Sequence, residues 1–138
     1  VLYGPSYVSF ESALNYHGWI PEAVYAVTAA SAHNAKEFST PFGIFTYKRI
    51  PFPVLFLGVD RVVSSQGSFL MASPWKALVD YVYAYKKDWR GIEPVMKSLR
   101  VERESLENAD RAVLDQIEEM CKNARVKKFI KGVKKDLR

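Results

Sequence analysis

After Arg90-Gly91 the chain changes texture, and that change limits the fold more than any other feature of its 138 residues. Before it, apolar residues alternate or cluster in short β-branched and aromatic runs, as in strands. Beyond it they recur every three to four residues between charges, as in helices lying on a core. Strands followed by helices, rather than a regular alternation of the two, point to an α+β fold. The expected architecture is a mainly antiparallel sheet of about four to five strands packed with helices, followed by a helical C-terminal section. The length suits one domain over residues 1–138, with the α+β core in 1–90 and the helical section in 91–138.

Local signals place the elements. Ser9 is a plausible N-cap for a helix over Phe10 to about His17, Glu11 suits the positive end of its dipole, and Gly18 supplies a left-handed residue just past its end. Strands are expected at Ala23 to Ala30, Lys36 to Ser39, Ile44 to Ile50, Leu55 to Ser64 and Ser68 to Ala72. Thr40-Pro41-Phe42-Gly43 and Ser65-Gln66-Gly67 carry turn chemistry, and Pro51 and Pro53 end a strand. In the run Ile44 to Ile50, Phe45 and Tyr47 mark the packed side.

Ser73-Pro74 opens a helix, with Trp75, Leu78, Val79 and Val82 at helical spacing toward the sheet. Helices follow near Glu93 to Leu99, Glu102 to Glu107 and Asp110 to Lys122, the last with Val113, Leu114, Ile117, Met120 and Cys121 on one stripe. A final helix runs from Arg125 to Arg138, with Val126, Phe129, Ile130, Val133 and Leu137 on one face.

The net charge of +5 is concentrated at one end. Residues 1–121 hold 12 Lys/Arg against 14 Asp/Glu, and residues 122–138 hold 8 against 1, nets of −2 and +7. Arg125, Lys127, Lys128, Lys131, Lys134, Lys135 and Arg138 are expected opposite the apolar stripe of the last helix. Such a face either contacts phosphates or is simply solvated.

Several chemistries find no support. One Cys and two His, without HxxxH or CxxC, do not make a zinc site, and no phosphate-binding GxxxxGK[ST] or GxGxxG is present. Gly67-Ser68 lacks the following DxD of a nucleotidyltransferase, and Asp60 lacks the acidic-x-Lys strand of a magnesium nuclease. There is no GxSxG elbow for a serine hydrolase. His17, before a glycine and between Tyr16 and Trp19, reads as a packed residue at a helix end, with His17 and His33 as the bases an enzyme would have to use. Asp80 reads as an ion-pair or hydrogen-bond partner at the sheet edge, and Cys121 as a small core residue in a reducing setting. No cofactor is expected. No apolar run reaches membrane-spanning length, and the first residues lack the pattern of a secretory leader, so a cytoplasmic location is expected.

Tyr7 to Pro21, with its Ser9-led helix ending Tyr16-His17-Gly18 before Pro21-Glu22, resembles the opening of the conserved domain of AbiEi-family antitoxins, proteins of bacterial type IV toxin–antitoxin and abortive-infection systems. The turn at Thr40 to Gly43 with its aromatic strand is similar to the family. So is Ala72 to Asp80, where relatives tend to carry Ala-Thr/Ser-Pro-Glu-Lys-Ala-Leu-Leu-Asp. The motif positions are Ser9, Glu11, Tyr16, His17, Gly18, Pro21, Pro74, Lys76 and Asp80. Trp75 departs from the family's acidic residue and is expected to cover apolar surface or to contact a partner. The resemblance implies a non-enzymatic antitoxin and transcriptional regulator that counters a nucleotidyltransferase-like toxin without a stable complex. It also implies an N-terminal winged helix that binds operator DNA. Because the chain opens on Val1-Leu2-Tyr3, that winged helix is expected upstream of it. A nucleic-acid-binding module working through the basic last helix is the alternative.

Overall fold

The structure, a computed structural model, describes residues 6–20, 26–32, 35–40, 43–51, 55–64 and 67–137. The expectations for Pro21, His33, Pro41-Phe42, Pro53, Ser65-Gln66 and Arg138 lie outside these residues.

The fold is α+β with a helical C-terminal section. Six strands, β1 (Ser6–Val8), β2 (Ala26–Ser31), β3 (Lys36–Thr40), β4 (Gly43–Arg49), β5 (Val59–Ser64) and β6 (Gly67–Ala72), form one sheet in the order β3-β4-β2-β1-β6-β5. The sheet is mixed. The pairs β1–β2, β3–β4 and β5–β6 are antiparallel, while β2–β4 and β1–β6 are parallel. β1 is an addition to the expected strands, because three residues are too few to show a period. Residues 55–58, expected in a strand, form a turn before β5.

Six helices accompany the sheet: α1 (Phe10–Tyr16), α2 (Pro74–Ala84), α3 (Glu93–Leu99), α4 (Arg103–Asn108), α5 (Ala112–Met120) and α6 (Ala124–Asp136). α1 links β1 to β2 and packs on α2; α5 and α6 pack on α2 and on each other. α2 is therefore covered from more than one side. Its buried residues are not only Trp75, Leu78, Val79 and Val82 but also Lys76, Ala77 and Asp80. One continuous core of buried residues runs from Tyr7 in β1 to Leu137, joining the two halves of the chain.

Two helix ends carry the same device. Past α1, the Gly18 N–H donates to the Asn15 carbonyl and the Trp19 N–H to the Leu14 carbonyl, with Gly18 left-handed at φ +78°. Past α2, the Lys86 N–H donates to Tyr83 and the Lys87 N–H to Val82, with Lys86 left-handed at φ +55°. Both are Schellman closures, for which glycine is the usual residue because a Cβ is strained there. α6 needs a glycine for a different reason. A Cβ on Gly132 would stand 2.0 Å from the Arg90 carbonyl oxygen, so only glycine lets α6 approach the loop before α3.

The apolar stripe of α6 is buried throughout, but Met120 of the α5 stripe is 48% exposed. Met120 is the last residue of α5 and turns outward, while Cys121 beside it is buried in the core as expected. Trp75 is fully buried and meets Trp19 edge-on at 5.3 Å. It covers apolar surface and is not available to a partner. Among the described residues, no helix is long and apolar enough to cross a membrane.

Candidate functional site

Chemically capable side chains gather in a buried polar knot beneath β1 and in a basic cleft where β4, α2 and α6 meet.

The knot is assembled from two distant stretches. Ser73 caps α2, its Oγ accepting from the Lys76 N–H, and Pro74 occupies the first turn, where no N–H is needed. Lys76 and Asp80, one helical turn apart, then project toward β1 and the start of α1. The Lys76 Nζ donates to Asp80 Oδ1 at 2.6 Å and to the Tyr7 hydroxyl at 2.6 Å. The Tyr7 hydroxyl donates to Asp80 Oδ2 at 2.7 Å, and the Ser9 hydroxyl donates to the same oxygen at 2.7 Å. Lys76 is 0% and Asp80 2% exposed. Asp80 is thus not at the sheet edge as expected. It faces β1, an interior strand, whose Tyr7 hydroxyl donates to its carboxylate.

Burial lowers the Lys76 pKa, while the neighbouring Asp80 carboxylate and Cys121 work against that shift. Burial, reinforced by the Asp80 charge and hydrogen bond, raises the Tyr7 pKa well above its ordinary value. Every polar atom of the carboxylate is engaged, as a buried charge requires.

Because its hydroxyl serves Asp80, Ser9 occupies the N-cap position of α1 without capping it through the side chain. Thr28 of β2 does so instead. Its Oγ1 accepts from the Ser12 N–H at 3.0 Å, and the Ser12 hydroxyl accepts from the Thr28 N–H at 2.9 Å. This reciprocal pair reproduces a capping box across two elements. The adjoining Phe10, fully buried, has φ +54°, a rare conformation for a bulky residue. Such strain, of order 1–3 kcal/mol, persists only where surrounding contacts over-determine it.

The other motif positions hold the same region together. Glu11 accepts from the Tyr85 hydroxyl at 3.1 Å, linking the start of α1 to the end of α2. The His17 Nε2 lies 2.9 Å from the Ala72 carbonyl oxygen. A carbonyl only accepts, so Nε2 carries the proton. His17 thereby ties the end of α1 to β6, and the Tyr16 ring, itself exposed, stands edge-on to it.

The basic residues of the last helix separate into three groups. Lys128, Lys131 and Lys135 are exposed, opposite the stripe. Lys134 pairs with Asp115 and with Glu118 of α5, and these bonds raise its pKa. Lys127 and Arg125 are half-buried. Arg125 turns away from the outer face: its Nη2 donates to the Tyr83 carbonyl at 3.1 Å, and its Nε is buried without a partner. Of the seven cations expected opposite the stripe, six are described, and the expectation of one free face does not hold for Arg125 and Lys134. The carboxylates of α5 and the end of α2, each distant in sequence, redirect them.

Arg125 instead faces the basic cleft, of about 390 Å³, whose lining also includes Lys48, Arg49 and Lys86. Sequence reasoning missed this cleft, because its four cations come from three separate elements. The left-handed Lys86 had no local signal.

Among the described residues, no group of three or more His, Cys, Asp or Glu is placed to hold a metal ion. No protein-family model matches the chain, and no curated protein matches it.

Proposed function

We propose that the chain is the antitoxin domain of an AbiEi-type type IV antitoxin. It is non-enzymatic, acts in the cytoplasm, and opposes a nucleotidyltransferase-like toxin without a stable complex, while the winged helix of the full-length protein binds operator DNA. One observation carries this reading. Ser9 from the first motif and Lys76 and Asp80 from the second, more than sixty residues away in sequence, meet in a single sealed network. A signature whose members converge in this way is accounted for as the specification of one domain, with no reaction required of it. The knot has no opening for a substrate, because Tyr7, Ser9, Lys76 and Asp80 are all buried. The test is growth rescue by this 138-residue chain, co-expressed with a nucleotidyltransferase-like protein, the one encoded next to it if one exists. Rescue is expected; a folded, abundant chain that leaves the toxin active overturns the reading.

The exposed row Lys128, Lys131 and Lys135 favours a second reading, a nucleic-acid-binding module. Three phosphate contacts would give a log–log salt slope of about −2.7 on duplex DNA. Absence of measurable duplex binding at low salt would end it.

A further inference from the structure

We propose that the cleft between β4, the end of α2 and the start of α6 is a binding site for an oligophosphate group. This goes beyond the antitoxin reading and does not depend on it.

The charge of the cleft is one-sided. Lys48 and Arg49 enter from β4, Lys86 from the turn after α2 and Arg125 from α6, and the described residues lining the cleft include no Asp or Glu. Several cations elsewhere on the surface find carboxylates. Lys97 pairs with Glu93, Arg103 with Glu107, and Lys134 with Asp115 and Glu118. Four cations converging without a counter-charge repel one another, and an anion relieves that repulsion.

The backbone is arranged to suit an anion. Asn123 caps α6 by accepting from the Val126 N–H, which leaves the Ala124 and Arg125 N–H groups of the first turn without an intrahelical partner. The opposing wall is the C-terminal end of α2, whose carbonyls would repel an anion if left bare. Three of them are occupied: Tyr81 accepts from Tyr85, Val82 from Lys87, and Tyr83 from both Lys86 and Arg125. Arg125 is held in place by that bond, and its buried Nε remains an unused donor. Lys48 lies 4.7 Å from the centre of the Tyr85 ring, which fixes it at the cleft wall without neutralising it.

Lys86 adds an independent indication. It occupies the left-handed position that Gly18 fills at the matching end of α1. A lysine is strained there and a glycine is not, so the position retains a side chain at a conformational cost. That side chain lines the cleft. The volume of about 390 Å³ lies in the range of small-ligand sites, and four cations exceed what a single phosphate needs. The shared chemistry is a chain of two or more phosphates, free as in a nucleoside polyphosphate or spaced along a single strand.

The test is calorimetric titration of the chain with sodium tripolyphosphate, with ATP, and with a short single-stranded oligonucleotide, at low salt. Saturable 1:1 binding of tripolyphosphate is expected. Lys86→Glu and Arg49→Glu, both at exposed positions, should each weaken it about tenfold or more, and Lys131→Glu on the outer face of α6 about twofold or less. If ATP binds at least as tightly as the oligonucleotide, the free nucleotide is the source. If the oligonucleotide is tighter, and Lys131→Glu weakens it alone, the source is a nucleic-acid backbone. The absence of saturable tripolyphosphate binding overturns the proposal. So does equal weakening of tripolyphosphate by Lys131→Glu and Lys86→Glu, since that marks diffuse surface attraction. A thermal melt of each variant separates lost binding from lost fold.

Discussion

Lys76 near the start of α2 and Lys86 just past its end follow opposite rules. Lys76 is sealed, with its ammonium shared between Asp80 and Tyr7. Lys86 stands in solvent beside Lys48, Arg49 and Arg125, with no carboxylate among the described residues that line the same cleft. In the knot every charge is answered inside the fold, so the polar groups there specify how β1, α1 and α2 meet. In the cleft the charges are left unanswered and a backbone position is strained to keep one of them. The difference separates residues that define the domain from residues available to a ligand. By that measure the motif residues of the knot belong to the first kind and the cleft cations to the second.

The largest expected effect falls on the knot. Asp80→Ala strands the Lys76 ammonium in the core and should lower unfolding free energy by about 3–5 kcal/mol, read by denaturant melts. Adding Lys76→Met removes the stranded charge, so the double variant should lose less than the sum of the single losses by about 2 kcal/mol. Strict additivity would mean that the two groups act separately, and the contrast with Lys86 would collapse.

A smaller effect concerns pH. The Tyr7 pKa is raised above 10.0, so its contribution is intact below pH 10 and is lost as pH rises through the higher folded value. Tyr81 and Tyr85, raised by burial and by Glu11, act in the same direction. Lys76 opposes them. Its folded pKa lies below 10.5, so between the two values stability rises with pH. Tyr7→Phe should cost about 1–3 kcal/mol near neutrality. Stability measured above pH 10 should then fall less steeply in the variant than in the parent, by up to ~1.4 kcal/mol per pH unit. Equal slopes would show that Tyr7 ionises freely and is not sealed.

The smallest effect has the opposite sign. Lys86→Gly relieves the left-handed strain and should raise stability by about 1 kcal/mol while weakening tripolyphosphate binding. A gain in stability with unchanged binding would remove Lys86 from the cleft's function. A loss of stability would show that the lysine is there for the fold.

Much of the framework was legible because its signals are local. Ser73-Pro74 marked the start of α2, Gly18 the end of α1, and the stripe from Val126 to Leu137 the buried face of α6. Three of the failures are nonlocal. β1 is a strand only because β2 and β6 flank it. Ser9 gives up its capping role because Asp80 lies within reach, and Thr28 takes that role over. Arg125 and Lys134 leave the outer face of α6 because Tyr83 and the α5 carboxylates attract them.

The sequence by itself determined where helices begin and end, which faces are apolar, and that positive charge gathers at the C-terminal end. Those properties depend on neighbours within a few residues, where period and capping chemistry act. Only the tertiary structure decided which polar side chains are sealed and which remain free. In the sequence Asp80 reads as a hydrogen-bond or ion-pair partner at the sheet edge, and Lys76 only as a motif position. They become a buried knot because β1, α1 and α5 close over α2, and a carboxylate removed from water must collect donors from whatever chain segment packs against it.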